Sequence, residues 1–262
     1  MRARVIFRRR FPKVSSSGDG SGSFVCLPSR GGVPACGPRL RPPASAPPGG
    51  SSAADKTVYF LELFAGAGGL TAAVRRLGIP TFEPHDLLKP DESGIEKAYD
   101  LCNPEHFKEL RATIRKGDIR WLHGGPPCKT FSRARRSDKF ARARILRSDR
   151  VPEGFMPRPQ KVLEANLLAT RMARLARCIY KAGGWFSIEN PEESLIWKFS
   201  PLASLAKLEG VEFYKGDQCA LGGFYKKPTG WLSNAPWFSV VCRRCPPEHP
   251  VHPPWVGFAE TW

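Results

Sequence analysis

Between Thr57 and Ile188 short apolar runs alternate with longer stretches in which apolar residues return every three or four positions. Thr57–Leu63 is rich in β-formers, a glycine turn covers Phe64–Gly69, and Leu70–Leu77 has helical spacing that stops at Gly78. Ile79–Phe82 reads as a second short strand ending at Glu83. Asn103-Pro104-Glu105 is a helix start, with Phe107, Leu110 and Ile114 on one face, and Asp118–His123 reads as a strand. Residues 160–182 hold the longest helical pattern, with Val162, Leu163, Leu167, Met172, Leu175, Ala176 and Ile179 on its stripe; Gly183-Gly184 closes it and Trp185–Ile188 is a further strand. Strands alternating with helices at this spacing predict an α/β fold with a doubly wound, mostly parallel sheet. Ligands of such sheets bind beyond the carboxyl ends of the strands. Three of those ends carry unusual residues: the glycines after Leu63, the Gly-Gly-Pro-Pro-Cys run after His123, and Glu-Asn-Pro after Ile188.

Composition divides the chain. Of 262 residues, 41% are hydrophobic and 25% charged, near the globular average, while 26 Pro and 25 Gly indicate a non-globular part. Residues 1–55 hold nine Lys or Arg against Asp19 and Asp55, and 25 of these positions are Gly, Pro or Ser, a composition expected to be disordered. Their basic, Ser-rich opening reads either as an organelle transit peptide or as a basic tail, and nucleus or organelle is the expected location. Residues 56–240 are expected to form the folded domain, and 241–262 a Cys/His/Pro-rich segment. No apolar run reaches the roughly 18 residues of a membrane span. A net charge of +17 makes nucleic acid the first partner to consider. The eight cysteines are too unevenly spaced for a disulfide scaffold and no secretory signal is present, so a reducing compartment is expected, not secretion.

Each strand end carries chemistry with a plainer alternative beside it. The glycine turn suits close backbone approach to a cofactor, or is only a tight connection; no Gly-Lys-Ser/Thr follows, so it is not a Walker loop. Glu83 stands where an acid could hold ribose hydroxyls, or is an exposed loop carboxylate. Pro126 and Pro127 fix the backbone before Cys128, and Lys129, Arg133, Arg135 and Arg136 would favour its thiolate; the alternative is an inert thiol. Glu189 and Asn190 offer a carboxylate and an amide, or a turn-forming polar cluster. Cys242 and Cys245 with His249 and His252, and Cys219 upstream, are candidate zinc ligands in tighter than usual spacing, or unligated loop residues.

In this order, LELFAGAGGL, GGPPCKTFS and FSIENPEESLIW resemble motifs I, IV and VI of the cytosine 5-methyltransferases, over roughly residues 57–235. The resemblance implies a Rossmann-like, class I methyltransferase domain that uses S-adenosylmethionine. It would place Phe64, Ala65, Gly66, Gly68, Gly69 and Leu70 along the methionine and adenosine moieties, Glu83 on the ribose, Asp100 near the adenine amino group, and Pro127 beside the cofactor. Cys128 would be the nucleophile, with Glu189 and Asn190 its partners. Carbon 5 of cytosine is a poor nucleophile until a thiolate has added at carbon 6, and Glu189 could assist at ring nitrogen 3. In a duplex the base must leave the stack. The run from Lys129 to Lys161 holds 11 Lys or Arg against three acids, so Lys129, Ser132, Arg133, Arg135 and Arg136 are candidate backbone contacts.

The segment Asp217–Leu232 stands where the family has its motif VIII arginines, and Lys226 and Lys227 are the charges available there. Lys129 replaces the glutamine that commonly follows the nucleophile. No long target-recognition segment is evident, so a partner chain supplying recognition is expected; the arrangement resembles the shorter methyltransferase-like domains of some protist and mobile-element proteins. The expected function is methyl transfer from S-adenosylmethionine to cytosine carbon 5 in DNA, with RNA as the other substrate. The rivals are an inactive nucleic-acid-binding module and a zinc-stabilised interaction domain.

Overall fold

The computed structural model describes residues 59–87, 99–133 and 145–248. The 1–55 tail lies outside them. Strand β1 (Tyr59–Leu63) leads through the glycine turn into helix α1 (Gly69–Arg76). Helix α2 (Pro104–Lys116) is started by Asn103, whose side-chain oxygen accepts from the Glu105 amide at 2.9 Å, and is stopped by Gly117 at φ 80°. Strand β2 (Ile119–Gly124), helix α3 (Gln160–Lys181) and strand β3 (Trp185–Pro191) follow at the expected places. A short helix α4 (Ser200–Leu205) then precedes β4 (Glu212–Asp217) and β5 (Pro228–Ser233).

The five strands lie in the order β1-β2-β3-β5-β4, with β1, β2 and β3 parallel and β5 antiparallel to both its neighbours. The sheet is thus α/β and mostly parallel at its start, with an antiparallel hairpin that the helical periodicity did not announce. Ile79–Phe82 forms only isolated parallel bridges to β1, Phe60 with Thr81 and Leu63 with His85. Pro80 and Pro84 have no amide to give a ladder, which limits this stretch to bridges.

Side chains alternate across the sheet and so define two layers. Leu61, Leu63, Leu122, Phe186, Ile188 and Leu232 join the main core with α2, α3 and α4. On the opposite face Glu62 bonds Thr71 of α1, and Trp231 packs with Tyr214 and Phe238. Helices therefore cover both faces, as expected for a doubly wound sheet. On α3 the buried row is Val162, Ala165, Ala169, Met172, Leu175, Ala176 and Ile179, whereas Leu163 and Leu167, expected on the stripe, are exposed. The alanines carry that seam instead, and they let the helix lie close to the sheet: a Cβ at Gly124 would come within 2.8 Å of Met172 Sδ.

Residues 241–245 do not stand apart from the domain. The Asp217 amide donates to Arg243 O at 2.8 Å, and Arg244 pairs with Glu192 at 2.8 Å. Gly216 makes this possible, because a Cβ there would collide with the Val241 carbonyl oxygen. Gly216→Ala is expected to lower stability by about 1–3 kcal/mol, read as an earlier urea midpoint, because a backbone atom must move. An unchanged midpoint would show that the strap is loose.

Candidate active site

Parallel register brings the three unusual strand ends to one edge: Leu63 is opposite Gly124, and Gly124 is opposite Ile188. The glycine turn, the cysteine loop and Glu189-Asn190 therefore emerge side by side.

The turn is held from behind by two carboxylates. Gly68, at φ 70°, precedes α1 and has no side chain to cap it. Glu62, almost fully buried on β1, does that work: its Oε2 accepts from the Thr71 amide at 2.8 Å and the Thr71 hydroxyl at 2.6 Å. Buried Asp86 accepts from the Gly66 amide at 2.8 Å. Phe64 takes a left-handed backbone at φ 58°, which costs about 1–3 kcal/mol for a side chain of this kind. An added Cβ at Gly69 would meet open space, and Leu70 is partly exposed beside it. With one acid on a turn amide and another at the first turn of α1, this site suits a ligand that carries positive charge and opposes a phosphate.

Glu83 and Asp100 are placed differently from one another. Glu83 is half exposed and paired with Arg75 of α1 at 2.6 Å, so it is Asp86, three residues on, that reaches the turn. Asp100 Oδ1 accepts from the Cys102 amide at 2.7 Å, next to Tyr99, whose ring stacks on His85 at 4.2 Å. Burial lowers His85 to about 3, so it is neutral.

Cys128 follows β2 with Pro126 buried and Pro127 exposed. Its loop is tied to β3 because Asn190 Nδ2 donates to Pro126 O at 2.8 Å. Cys128 O accepts from the amides of Phe131 and Ser132, both at 2.8 Å, closing a turn. Burial pushes the Cys128 thiol up, the Lys227 ammonium pulls it down, and Glu189 pushes it up. Of the cations expected to favour the thiolate, Lys129 is exposed, and Arg133 donates to Asp149 and to Glu193 O. Arg135 and Arg136 lie outside the described residues. Among the described residues the cation that lowers the Cys128 thiol is Lys227, which directly precedes β5.

Glu189 is held by two groups that the sequence reading did not pair with it. Its Oε1 accepts from Gln218 Nε2 at 2.9 Å and from Lys227 Nζ at 3.2 Å. Lys226 is exposed. On the same sheet face, His123 Nδ1 lies 2.8 Å from Ser187 Oγ, and burial lowers the pKa of its ring.

The zinc ligands expected near the C-terminal end do not assemble among the described residues, where no group of three metal-binding side chains occurs. Cys219 is buried and neighbours Cys245, while Cys242 is exposed. His249 and His252 lie outside the described residues. Among the described residues no helix is long and apolar enough to cross a membrane.

Residues 58–147 match the family model of the C-5 cytosine-specific DNA methylases. Among solved structures, the chain is similar to the Dnmt2 methyltransferase of S. pombe, at 16% identity and a TM-score of 0.39, over 67% of this chain and 50% of that one. It is also similar to a mutant DNMT2 of Spodoptera frugiperda, at 14% identity and a TM-score of 0.31, over 67% of this chain and 49% of that one. The chain thus spans about half the length of these structures. No curated protein matches it in sequence.

Proposed function

We propose, for a chain that is cytosine 5-methyltransferase-like over residues 58–147, that it moves a methyl group from S-adenosylmethionine to carbon 5 of cytosine in DNA. The observation that carries this reading is the convergence at one sheet edge of Cys128, of Glu189 with Gln218 and Lys227, and of the acid-backed glycine turn.

The turn fits the donor. Glu62 and Asp86 favour the positive sulfonium and ammonium groups, Gly69 leaves room, and Phe64, Ala65, Gly66, Gly68 and Leu70 would line them. When bound, S-adenosylmethionine supplies the methyl group. Glu83 on the ribose and Asp100 near the adenine remain part of this proposal.

Cys128 acts on the base. Its thiolate bonds carbon 6, the ring's 5,6 double bond shifts its electrons toward carbon 5 and nitrogen 3, and Glu189 donates a proton or hydrogen bond at nitrogen 3. Carbon 5 would then take the methyl group as the donor's carbon–sulfur bond breaks and its sulfonium leaves as a neutral thioether, and nitrogen 3 would return any proton to Glu189. Loss of the carbon 5 proton to water then expels the thiolate and restores the ring. The thiol that burial has raised must ionise first, and Lys227, next to both groups, favours that state. The base reaches Cys128 only if flipped or single-stranded. Lys129, Ser132, Arg133, Arg135, Arg136 and Lys226 are assigned to the phosphate backbone, in keeping with the net charge of +17. Target recognition by a partner chain belongs to the same proposal.

Incubation with labelled donor and either DNA or RNA of matched sequence tests the reading. 5-Methylcytosine in DNA is the expected product; label confined to RNA would reassign the substrate. The role of Lys227 is tested separately by alkylating Cys128 across pH and following its peptide by mass spectrometry. Lys227→Met removes the cation that pulls the thiol down, so its alkylation midpoint is expected to rise, and Lys227→Arg is expected to restore it. A midpoint unmoved by Lys227→Met would show that the lysine does not act on the thiol.

A further inference from the structure

Arg147 is absent from the chemistry above, yet it is among the most enclosed side chains of the domain, at 2% exposure. Its guanidinium lies over the Phe131 ring at 3.6 Å from the ring centre. It donates to Thr130 O at 3.1 Å and to Thr130 Oγ1 at 2.8 Å, two residues beyond Cys128. Its other bonds reach Pro152 O at 2.6 Å, Asn166 Oδ1 of α3 at 2.7 Å and Val162 O at 3.4 Å. One side chain thus joins the nucleophile's turn, the returning segment and the helix under the sheet.

Burying a guanidinium is costly, and an apolar side chain of similar volume would pack at least as well for stability alone. What an apolar residue lacks is a planar fork whose donors fix several oxygens at once. Those oxygens include both acceptors of Thr130. The same turn is held on its other side by the Leu195 amide, which donates to Phe131 O at 3.0 Å, and upstream by Asn190 on Pro126. Leu195 and Asn190 both belong to the stretch that carries Glu189. Arg147 is the fixture that this stretch does not supply, and it ties the cysteine to α3.

We propose that Arg147 is a positioning residue for Cys128, holding the Cys128–Ser132 turn through Thr130 so that the thiol stays enclosed beside Glu189 and Lys227. This rests on the reading of Cys128 as the nucleophile. Burial is the largest influence that raises the Cys128 thiol, so a loosened turn exposes it and brings its alkylation midpoint down toward that of an ordinary thiol. A residue that only adds global stability would leave that midpoint alone in the folded protein.

Arg147→Lys keeps the charge and loses the fork; Thr130→Val removes one acceptor and keeps the volume. For each, the urea midpoint, the affinity for S-adenosylhomocysteine, the pH profile of Cys128 alkylation and the rate of trapping by 5-fluorocytosine DNA are measured on the full chain. Folded variants are expected to bind S-adenosylhomocysteine as the parent does, to alkylate Cys128 with a lower midpoint, and to trap DNA about 10- to 100-fold more slowly, the loss that misplacement of a reacting group by about 1 Å produces. A wild-type alkylation profile in a folded variant overturns the proposal. If Arg147→Lys does not fold, Thr130→Val decides. If the parent traps nothing, the proposed function fails while the alkylation profiles still decide the role of Arg147.

Discussion

Cys128→Ala is expected to lower methyl transfer by a factor on the order of 1,000 or more, because without addition at carbon 6 the ring has no nucleophilic carbon 5. Binding of S-adenosylhomocysteine should not change, since the thiol belongs to the β2 loop and the proposed donor site to the glycine turn after β1. Glu189→Gln keeps the contact geometry with Gln218 and Lys227 but cannot pass a proton to nitrogen 3, so it should slow transfer by about 100-fold or more while leaving donor affinity intact. Steady-state kinetics with labelled donor separate these effects. A Cys128→Ala protein that still transfers methyl groups would remove the covalent route.

The second large effect concerns the donor. Asp86→Ala strips the Gly66 amide of a carboxylate partner that lies 20 residues further along the chain, and it removes negative charge from behind the turn. Loss of one charged hydrogen bond of this kind is worth about 1.5–3 kcal/mol, which corresponds to roughly 10- to 100-fold weaker binding of S-adenosylmethionine by calorimetry. Glu62→Gln should weaken the donor less than Glu62→Ala, because the amide oxygen can still accept from Thr71. Glu83→Gln separates the sequence expectation from the structural one. With Glu83 on the ribose it should weaken binding, whereas with Glu83 held only by Arg75 it should not.

These assignments differ in how far the sequence alone reveals them, and the difference is one of range. Strands β1 and β2 and helices α2 and α3 follow from local signals: β-forming runs, the Asn103-Pro104 start, Gly117, and the glycines after Ala182. Cys128 and Glu189 are equally local, each inside a short run that ends a strand. The β4–β5 hairpin is not, because Gly216, Pro228 and Gly230 make poor strand formers and the pairing depends on a long-range fit against β3. The same holds within the site. Gln218 and Lys227 reach Glu189 across 29 and 38 residues, and Asp86 reaches Gly66 across 20, so no spacing rule links them. A clue to Glu62 was present, an acid in the middle of an otherwise apolar strand. Arg133 shows the same limit: nearness in sequence put it beside the nucleophile, but folding gives it to Asp149.

Covalent trapping tests the assignment of Cys128 and Glu189 to cytosine chemistry most directly. Fluorine at carbon 5 cannot leave as the proton does, so after methyl transfer the thiolate cannot be expelled and protein stays bonded to the base. DNA containing 5-fluorocytosine, mixed with the chain and S-adenosylmethionine, is predicted to yield a denaturant-resistant complex whose peptide map places the bond on Cys128. Binding of the donor with no such complex on DNA or RNA, or a complex formed equally by Cys128→Ala, would contradict it.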